Sequence, residues 1–234
     1  YLEAQLEEVL GDIGSKTTVR AVGEAVPEDL RVAHDDYQDR FDPHVWMDPE
    51  LWRLVALDVR DAMVELAPER ATEFNANADA FLAELSALSD YSETVLSSVP
   101  EPARVLLTAH DAFNYFGRAY GFEVVGIQGI STESEAGLNR MTELVDMLVD
   151  RGIASVFVES SVSDRSVRAL IEGAASRGHK VEIGGELFSD AMGAPGTYEG
   201  TYVGMIDHNI TTIGSGLGGV APDRGMNGRL AAGS

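Results

Sequence analysis

Hydrophobic positions in the second half of the chain alternate between short apolar runs and stretches with helical spacing. The run at 104–109 precedes a helical stretch at 112–120, and the same alternation continues to about residue 214. Strands that alternate with helices form a parallel sheet covered on both faces, so we predict an α/β fold. The predicted strands are 104–109, 122–127, 154–159 and 179–183, and the predicted helices are 112–120, 136–151, 164–177 and 201–214.

The first part of the chain has a less regular pattern. Residues 1–10 have amphipathic helical spacing, Thr17–Gly23 is typical of a short strand, and an acidic loop runs from Glu24 to Asp42. Helical periodicity resumes after Pro49. Because the chain opens on a helix with neither a preceding strand nor an initiator methionine, we expect the N-terminal lobe to be incomplete in this sequence.

One long helix is predicted between these two parts. Apolar residues recur at steps of three and four from Phe74 to Leu88, Pro68 suits the first turn, and Pro100 ends the helix. A helix in this position indicates two lobes joined by a stiff rod, with a ligand between them. The predicted organisation is a partial N-terminal lobe at 1–66, a linking helix at 67–99, a C-terminal α/β lobe at 100–217 and a flexible tail at 218–234.

Composition excludes several classes of function. No apolar stretch approaches the roughly 20 residues of a membrane helix. The net charge of −22 argues against nucleic acid as a partner, since phosphates require a basic surface. The chain has no cysteine, so nitrogen and oxygen atoms must hold any metal ion.

Two histidines and two carboxylates occupy positions typical of a metal site. His110 ends the first strand of the C-terminal lobe, Glu159 ends the third, and Asp190 follows the fourth. The carboxyl ends of parallel strands meet at one edge of a sheet, which is where open α/β sheets bind ligands. His44 lies in a turn fixed by two prolines. Such a nitrogen and oxygen set suits Zn(II), Mn(II) or Fe(II).

Each candidate also has a structural interpretation. His110 and His44 could be capping or packing histidines, and Asp190 could be a turn or helix-cap aspartate. For Glu159 we favour a supporting role, in which it pairs with Arg165 and fixes the loop, over direct metal ligation. The other three histidines, His34, His179 and His208, are expected at the surface.

Five ordered segments resemble the manganese/zinc solute-binding proteins of ABC transporters, the TroA-like group (cluster A-I). They are Asp-Pro-His-Val-Trp-Met-Asp-Pro at 42–49, Thr-Ala-His-Asp-Ala-Phe-Asn-Tyr-Phe at 108–116, Gly-Ile-Ser-Thr-Glu at 129–133, Phe-Val-Glu-Ser-Ser at 157–161, and Ser-Asp at 189–190 with Gly-Thr-Tyr at 200–202. The resemblance implies two Rossmann-like lobes joined by a long backbone helix. It also implies that His44, His110 and Asp190 are metal ligands. The family's first ligand, an upstream histidine, has no counterpart in this chain.

The resemblance further implies a function. The protein would be the extracytoplasmic binding component of an ABC importer, in the periplasm or as a cell-surface lipoprotein, and not an enzyme. It would capture Zn or Mn and deliver it to a membrane permease, and we expect a monomer. The alternatives are a zinc-dependent hydrolase, which the histidine and aspartate set could also serve, and an adhesin or metallochaperone on the same fold.

Overall fold

The computed structural model describes residues 7–33, 41–130, 132 and 136–231. The chain divides into two compact units, Tyr1–Ser86 (unit 1) and Ala87–Ser234 (unit 2). The helices are α1 (Glu7–Gly14), α2 (Pro49–Leu66), α3 (Ala71–Ser97), α4 (Asn114–Tyr120), α5 (Leu138–Arg151), α6 (Arg165–Ser176) and α7 (Tyr202–Gly216), and the strands are β1 (Val105–Thr108), β2 (Glu123–Gly126), β3 (Ser155–Glu159) and β4 (Glu182–Leu187).

Unit 2 is built on two parallel strand pairs, β1 with β2 and β3 with β4. β1 and β3 are also in contact, and every residue of β1 is buried. The apolar faces of α5 and α6 pack on these strands, with Leu144, Leu148 and Leu170 fully covered. The predicted α/β class with parallel strands is therefore confirmed, and the carboxyl ends of β1 and β3 lie together as parallel strands require.

The long helix is confirmed as α3, preceded by a short 3-10 turn at Pro68–Arg70. The division between the two units falls inside α3, at Ser86. The lobe boundaries that the sequence predicts stay a prediction. Among the helices in the described ranges, none combines the length and apolarity needed to cross a membrane.

Unit 1 differs from the sequence prediction at Thr17–Gly23. Residues 17–21 form no regular structure, and Val22–Ala25 is a 3-10 turn that contacts α2. The predicted strand is wrong here, since a β-rich run needs a partner and the described part of unit 1 offers only the isolated bridge between Ala33 and Phe41. His34 and the acidic residues up to 40 lie outside the described residues.

The stretch after Leu217 also packs more closely than expected. Leu230 is 1% exposed, although the sequence shows no core-forming pattern there. Turns at 223–228 precede Leu230, and turns leave no periodic apolar pattern in a sequence. The mobility of 218–234 stays a prediction.

The start of α2 provides a stability test. The carboxylate of Asp48 accepts hydrogen bonds from the backbone N–H groups of Glu50 and Leu51, which would otherwise have no helical partner. We expect Asp48→Ala to lower the free energy of unfolding by about 1 kcal/mol in urea denaturation. Asp48→Asn, which keeps an acceptor oxygen, is the control and should cost less. Equal losses in the two variants would contradict a capping role.

Candidate metal centre

His110 lies at the carboxyl end of β1 and is held by Glu159 at the end of β3. Both residues are almost fully buried, at 0% and 3% exposure. The carboxylate of Glu159 accepts a hydrogen bond of 2.8 Å from the His110 backbone N–H, and its other oxygen lies 2.6 Å from the His110 Nδ1 atom. One carboxylate thus fixes both the backbone and the ring of His110. This is the usual arrangement behind a metal-binding imidazole, and it leaves Nε2 facing Asp190.

Asp190 lies on the other side of the His110 ring. Its Oδ2 atom is 3.5 Å from the His110 Nε2 atom, and its side chain is 30% exposed. Two ligands on one tetrahedral zinc ion, each bound at about 2.0–2.2 Å, are separated by about 3.3–3.6 Å. The spacing of His110 Nε2 and Asp190 Oδ2 therefore fits two neighbouring ligands of the same ion.

The electrostatics of His110 are set by its two carboxylate neighbours. Burial lowers the pKa of His110, but the hydrogen bonds and negative charges of Asp190 and Glu159 outweigh burial and raise the pKa from 6.5 to about 9. When no metal is bound, this raised pKa favours the imidazolium form of His110 at neutral pH, with a proton on both ring nitrogens. A metal ion that binds at Nε2 must displace the proton on that atom. The two carboxylates stabilise a bound metal cation just as they stabilise the imidazolium.

His44 is held in the same way by a different carboxylate within unit 1. Asp42 Oδ1 accepts hydrogen bonds from the His44 backbone N–H, at 2.9 Å, and from Nδ1, at 2.7 Å. Both residues are 1% exposed, and Trp46 packs edge-on against the imidazole at 5.1 Å. A proton fixed on Nδ1 places the lone pair on Nε2, which is the form of histidine that binds metals.

Several sequence predictions need correction. Glu159 makes no ion pair with Arg165 among the described residues, since its carboxylate is occupied by His110 and Arg165 is exposed at the start of α6. His208 is 7% exposed and its Nε2 atom bonds to the carbonyl of Glu186, so it is not a surface residue. His179 is half-buried and bonds to the Ile153 carbonyl.

Other residues that hold the site were missed by sequence reasoning. Ser189 directly precedes Asp190 in the chain, and its hydroxyl lies 2.7 Å from the hydroxyl of Ser161. The amide of Asn209 on α7 accepts from the backbone N–H of Phe188 and donates to its carbonyl. Only Asp42 left a local signal, because an aspartate two residues before a histidine can reach its backbone N–H.

Comparisons with known proteins give this geometry its context. Residues 1–216 match the model of the family described as zinc-uptake complex component A, periplasmic (ZnuA). The chain belongs to this family. It is 46% identical over 217 residues to the manganese-binding lipoprotein MntA of Bacillus subtilis, a match that covers 93% of this chain and 71% of that protein. It is 45% identical over the same length to the zinc-binding protein TroA of Treponema pallidum, covering 93% and 70%.

A solved structure agrees with this assignment to the zinc-uptake component A family. The periplasmic zinc-binding protein TroA of Treponema pallidum matches with a TM-score of 0.89, at 45% identity, over 92% of this chain and 77% of that one. A further relative, 28% identical over 75% of this chain and 55% of its own length, is the metal ABC transporter substrate-binding lipoprotein SsaB of Streptococcus sanguinis. The predicted family of metal solute-binding proteins is confirmed, and these matches give no support to a hydrolase.

The link from Glu159 to His110 makes a quantitative prediction. Glu159→Gln leaves one oxygen to face two N–H donors, so either the ring or the backbone of His110 loses its acceptor. We expect metal affinity to fall about 10–100-fold, as measured by competition with a chromophoric chelator. Glu182→Gln, an exposed change on the neighbouring strand, is the control and should leave affinity unchanged. A loss as large as that of a ligand variant would make Glu159 a direct ligand, and no loss would contradict its supporting role.

Proposed function

We propose that this protein captures a divalent transition metal ion, Zn(II) or Mn(II), outside the cytoplasm and delivers it to the membrane permease of an ABC importer. The observation that carries the proposal is the pairing of His110 Nε2 with Asp190 Oδ2 at 3.5 Å, with Glu159 behind the imidazole. The family assignment and the names of the relatives support the same function.

We further propose that His44, His110 and Asp190 are the metal ligands. Each histidine is deeply buried, and each has its Nδ1 atom against a carboxylate that sets its orientation. A carboxylate on Nδ1 is the arrangement that orients metal-binding histidines in proteins, and it occurs at both of these buried rings. The three residues belong to segments that also carry the resemblance to the family.

The ligand set restricts the metal without choosing a single one. Two imidazoles and one carboxylate suit zinc by affinity, since zinc lies above manganese in the general order for nitrogen and oxygen sites. Manganese also accepts carboxylate and imidazole ligands. Which of the two metals is bound therefore also depends on how much of each is available outside the cell. Relatives at nearly equal identity are named for manganese and for zinc.

The cellular setting follows from the same comparisons. We infer that the chain acts in the periplasm or at the cell surface, since the family is described as periplasmic and relatives are lipoproteins. Its partner is the permease of its own importer, and we expect it to act as a monomer.

Calorimetric titration of chelator-stripped protein with Zn(II), Mn(II) and Mg(II) tests the capture step. We expect one ion of zinc or manganese per chain, and no saturable binding of magnesium, because magnesium retains its waters and prefers oxygen ligands. Equal binding of all three ions, or binding of neither transition metal, would contradict the proposal.

Delivery is tested separately by uptake of radiolabelled metal. Cells that carry the cognate permease should lose high-affinity uptake when this protein is deleted, and regain it when the gene is restored. A His110→Ala copy should fail to restore uptake. Uptake that is independent of this protein would show that binding serves some other purpose than import.

A further inference from the structure

Asp190 lies in the loop between β4 and α7, at 188–201. Side chains of α7 hold this loop near its start and near its end. At its start, the Asn209 amide bonds to both backbone groups of Phe188, at 2.9 and 2.7 Å. At its end, the hydroxyl of Tyr198 donates to Asp207 Oδ2 at 2.9 Å. Asn209 is 2% exposed and Asp207 is 0% exposed. Two buried polar residues on one helix thus fix the two ends of this loop.

Inside the loop, the two halves are fastened to each other. The Gly193 backbone N–H donates to the Glu199 carbonyl at 2.9 Å. A β-carbon at Gly193 would come within 2.7 Å of the Glu199 β-carbon, so the two halves of the loop are in close contact. Glu199, next to Tyr198 in the chain, is therefore in direct contact with Gly193, which is three residues from Asp190.

A segment at the end of the described chain supports this arrangement. Residues 222–231, which we call the C-terminal strap, lie over Tyr198 and Glu199. The Met226 backbone N–H donates to Asp207 Oδ1 at 2.9 Å, and the Ala231 backbone N–H donates to Glu199 Oε1 at 2.8 Å. The Arg229 guanidinium lies 4.3 Å from the Tyr198 ring centre. The strap follows the family match, which ends at residue 216.

We infer that Asp207 and the C-terminal strap position Asp190 for metal binding, with the Tyr198 hydroxyl as the link to its loop. The inference rests on the proposed role of Asp190 as a metal ligand. The carboxylate of Asp207 connects these segments, because it accepts hydrogen bonds from Tyr198, from Met226 and, at 3.2 Å, from Thr211. Burial raises the pKa of Tyr198 to about 12, so the hydroxyl remains a donor at neutral pH.

Removal of a single hydroxyl tests this link. Tyr198→Phe keeps the ring and its contact with Arg229 but loses the bond to Asp207. We expect zinc affinity to fall about 10-fold, at the low end of the range for residues that hold a ligand indirectly. Tyr91→Phe is the matched control: it removes a half-buried hydroxyl that lies 2.8 Å from Thr211 Oγ1, away from the loop, and it leaves the bond that Thr211 donates to Asp207. Its zinc affinity should equal that of the parent.

A double-mutant cycle with Asp190→Ala separates positioning from general stabilisation. If Tyr198 acts through Asp190, the Tyr198→Phe change should cost nothing further in the Asp190→Ala background. An equal loss in both backgrounds, or no loss in the parent, would overturn the inference.

Hydrogen exchange of the metal-free protein distinguishes failure of this inference from failure of the proposed function. Tyr198→Phe should speed exchange of the Gly193 N–H more than Tyr91→Phe does, whether or not the protein binds zinc. Unchanged Gly193 exchange would show that the hydroxyl does not hold the loop.

Discussion

His110→Ala should lower the affinity for zinc by more than about 100-fold, beyond the range typical of residues that only support a ligand. The change removes the Nε2 atom that lies 3.5 Å from Asp190 Oδ2, and with it one proposed ligand. It also leaves the carboxylate of Glu159 buried without its imidazole partner.

The control for this prediction is another histidine of unit 2. His179 is half-buried and bonds to the Ile153 carbonyl, away from the carboxylates around His110. His179→Ala should bind zinc with parental affinity. Circular dichroism of both variants checks that the fold is retained. Zinc affinity of His110→Ala within about threefold of the parent would remove His110 from the site.

Gly204→Ala should be among the most destabilising single changes in the chain. Gly204 lies in the first turn of α7, where the chain folds back so closely that an added β-carbon would overlap the Tyr198 carbonyl oxygen. That carbonyl cannot move easily, because it accepts hydrogen bonds from the backbone and hydroxyl of Thr201. We expect a loss of about 3 kcal/mol in the free energy of unfolding, the upper end of the usual range for overpacking.

Gly11→Ala is the matched helical control. Gly11 lies inside α1, is exposed and has no atom within 4 Å of an added β-carbon. Alanine there should stabilise the helix by about 0.5–1 kcal/mol, because glycine has the greater backbone freedom when unfolded. Urea denaturation of both variants measures the two effects. A Gly204→Ala protein as stable as the parent would mean that α7 begins differently.

The sequence predicted the strands and helices of unit 2 better than the start of unit 1, where the strand expected at Thr17–Gly23 is wrong. The alternation of apolar runs and helical stretches was sufficient for β1, α5 and β3, because the two strands are largely buried apolar runs and the spacing of α5 reveals its one covered face. The last strand was predicted at 179–183 and lies at Glu182–Leu187. Its glycines and exposed residues weaken the apolar signal that sets a boundary.

Within the candidate site, the ends of strands could be predicted and the bonds between distant segments could not. His110 and Glu159 follow apolar runs, so the edge where they meet was foreseeable. The contact of Glu159 with His110, in place of Arg165, joins the end of β3 to the segment that follows β1. The hold of Asp207 on Tyr198 likewise depends on how α7 packs, and local sequence carries no information on such contacts.

X-ray absorption at the zinc edge of the loaded protein tests the central claim most directly. The account predicts nitrogen and oxygen neighbours at about 2.0–2.1 Å with the outer-shell scattering of two imidazole rings. His44→Ala and His110→Ala should each remove one ring from that signal, and His179→Ala should remove none. An all-oxygen shell without imidazole scattering, or a ring count unchanged in both ligand variants, would contradict the account.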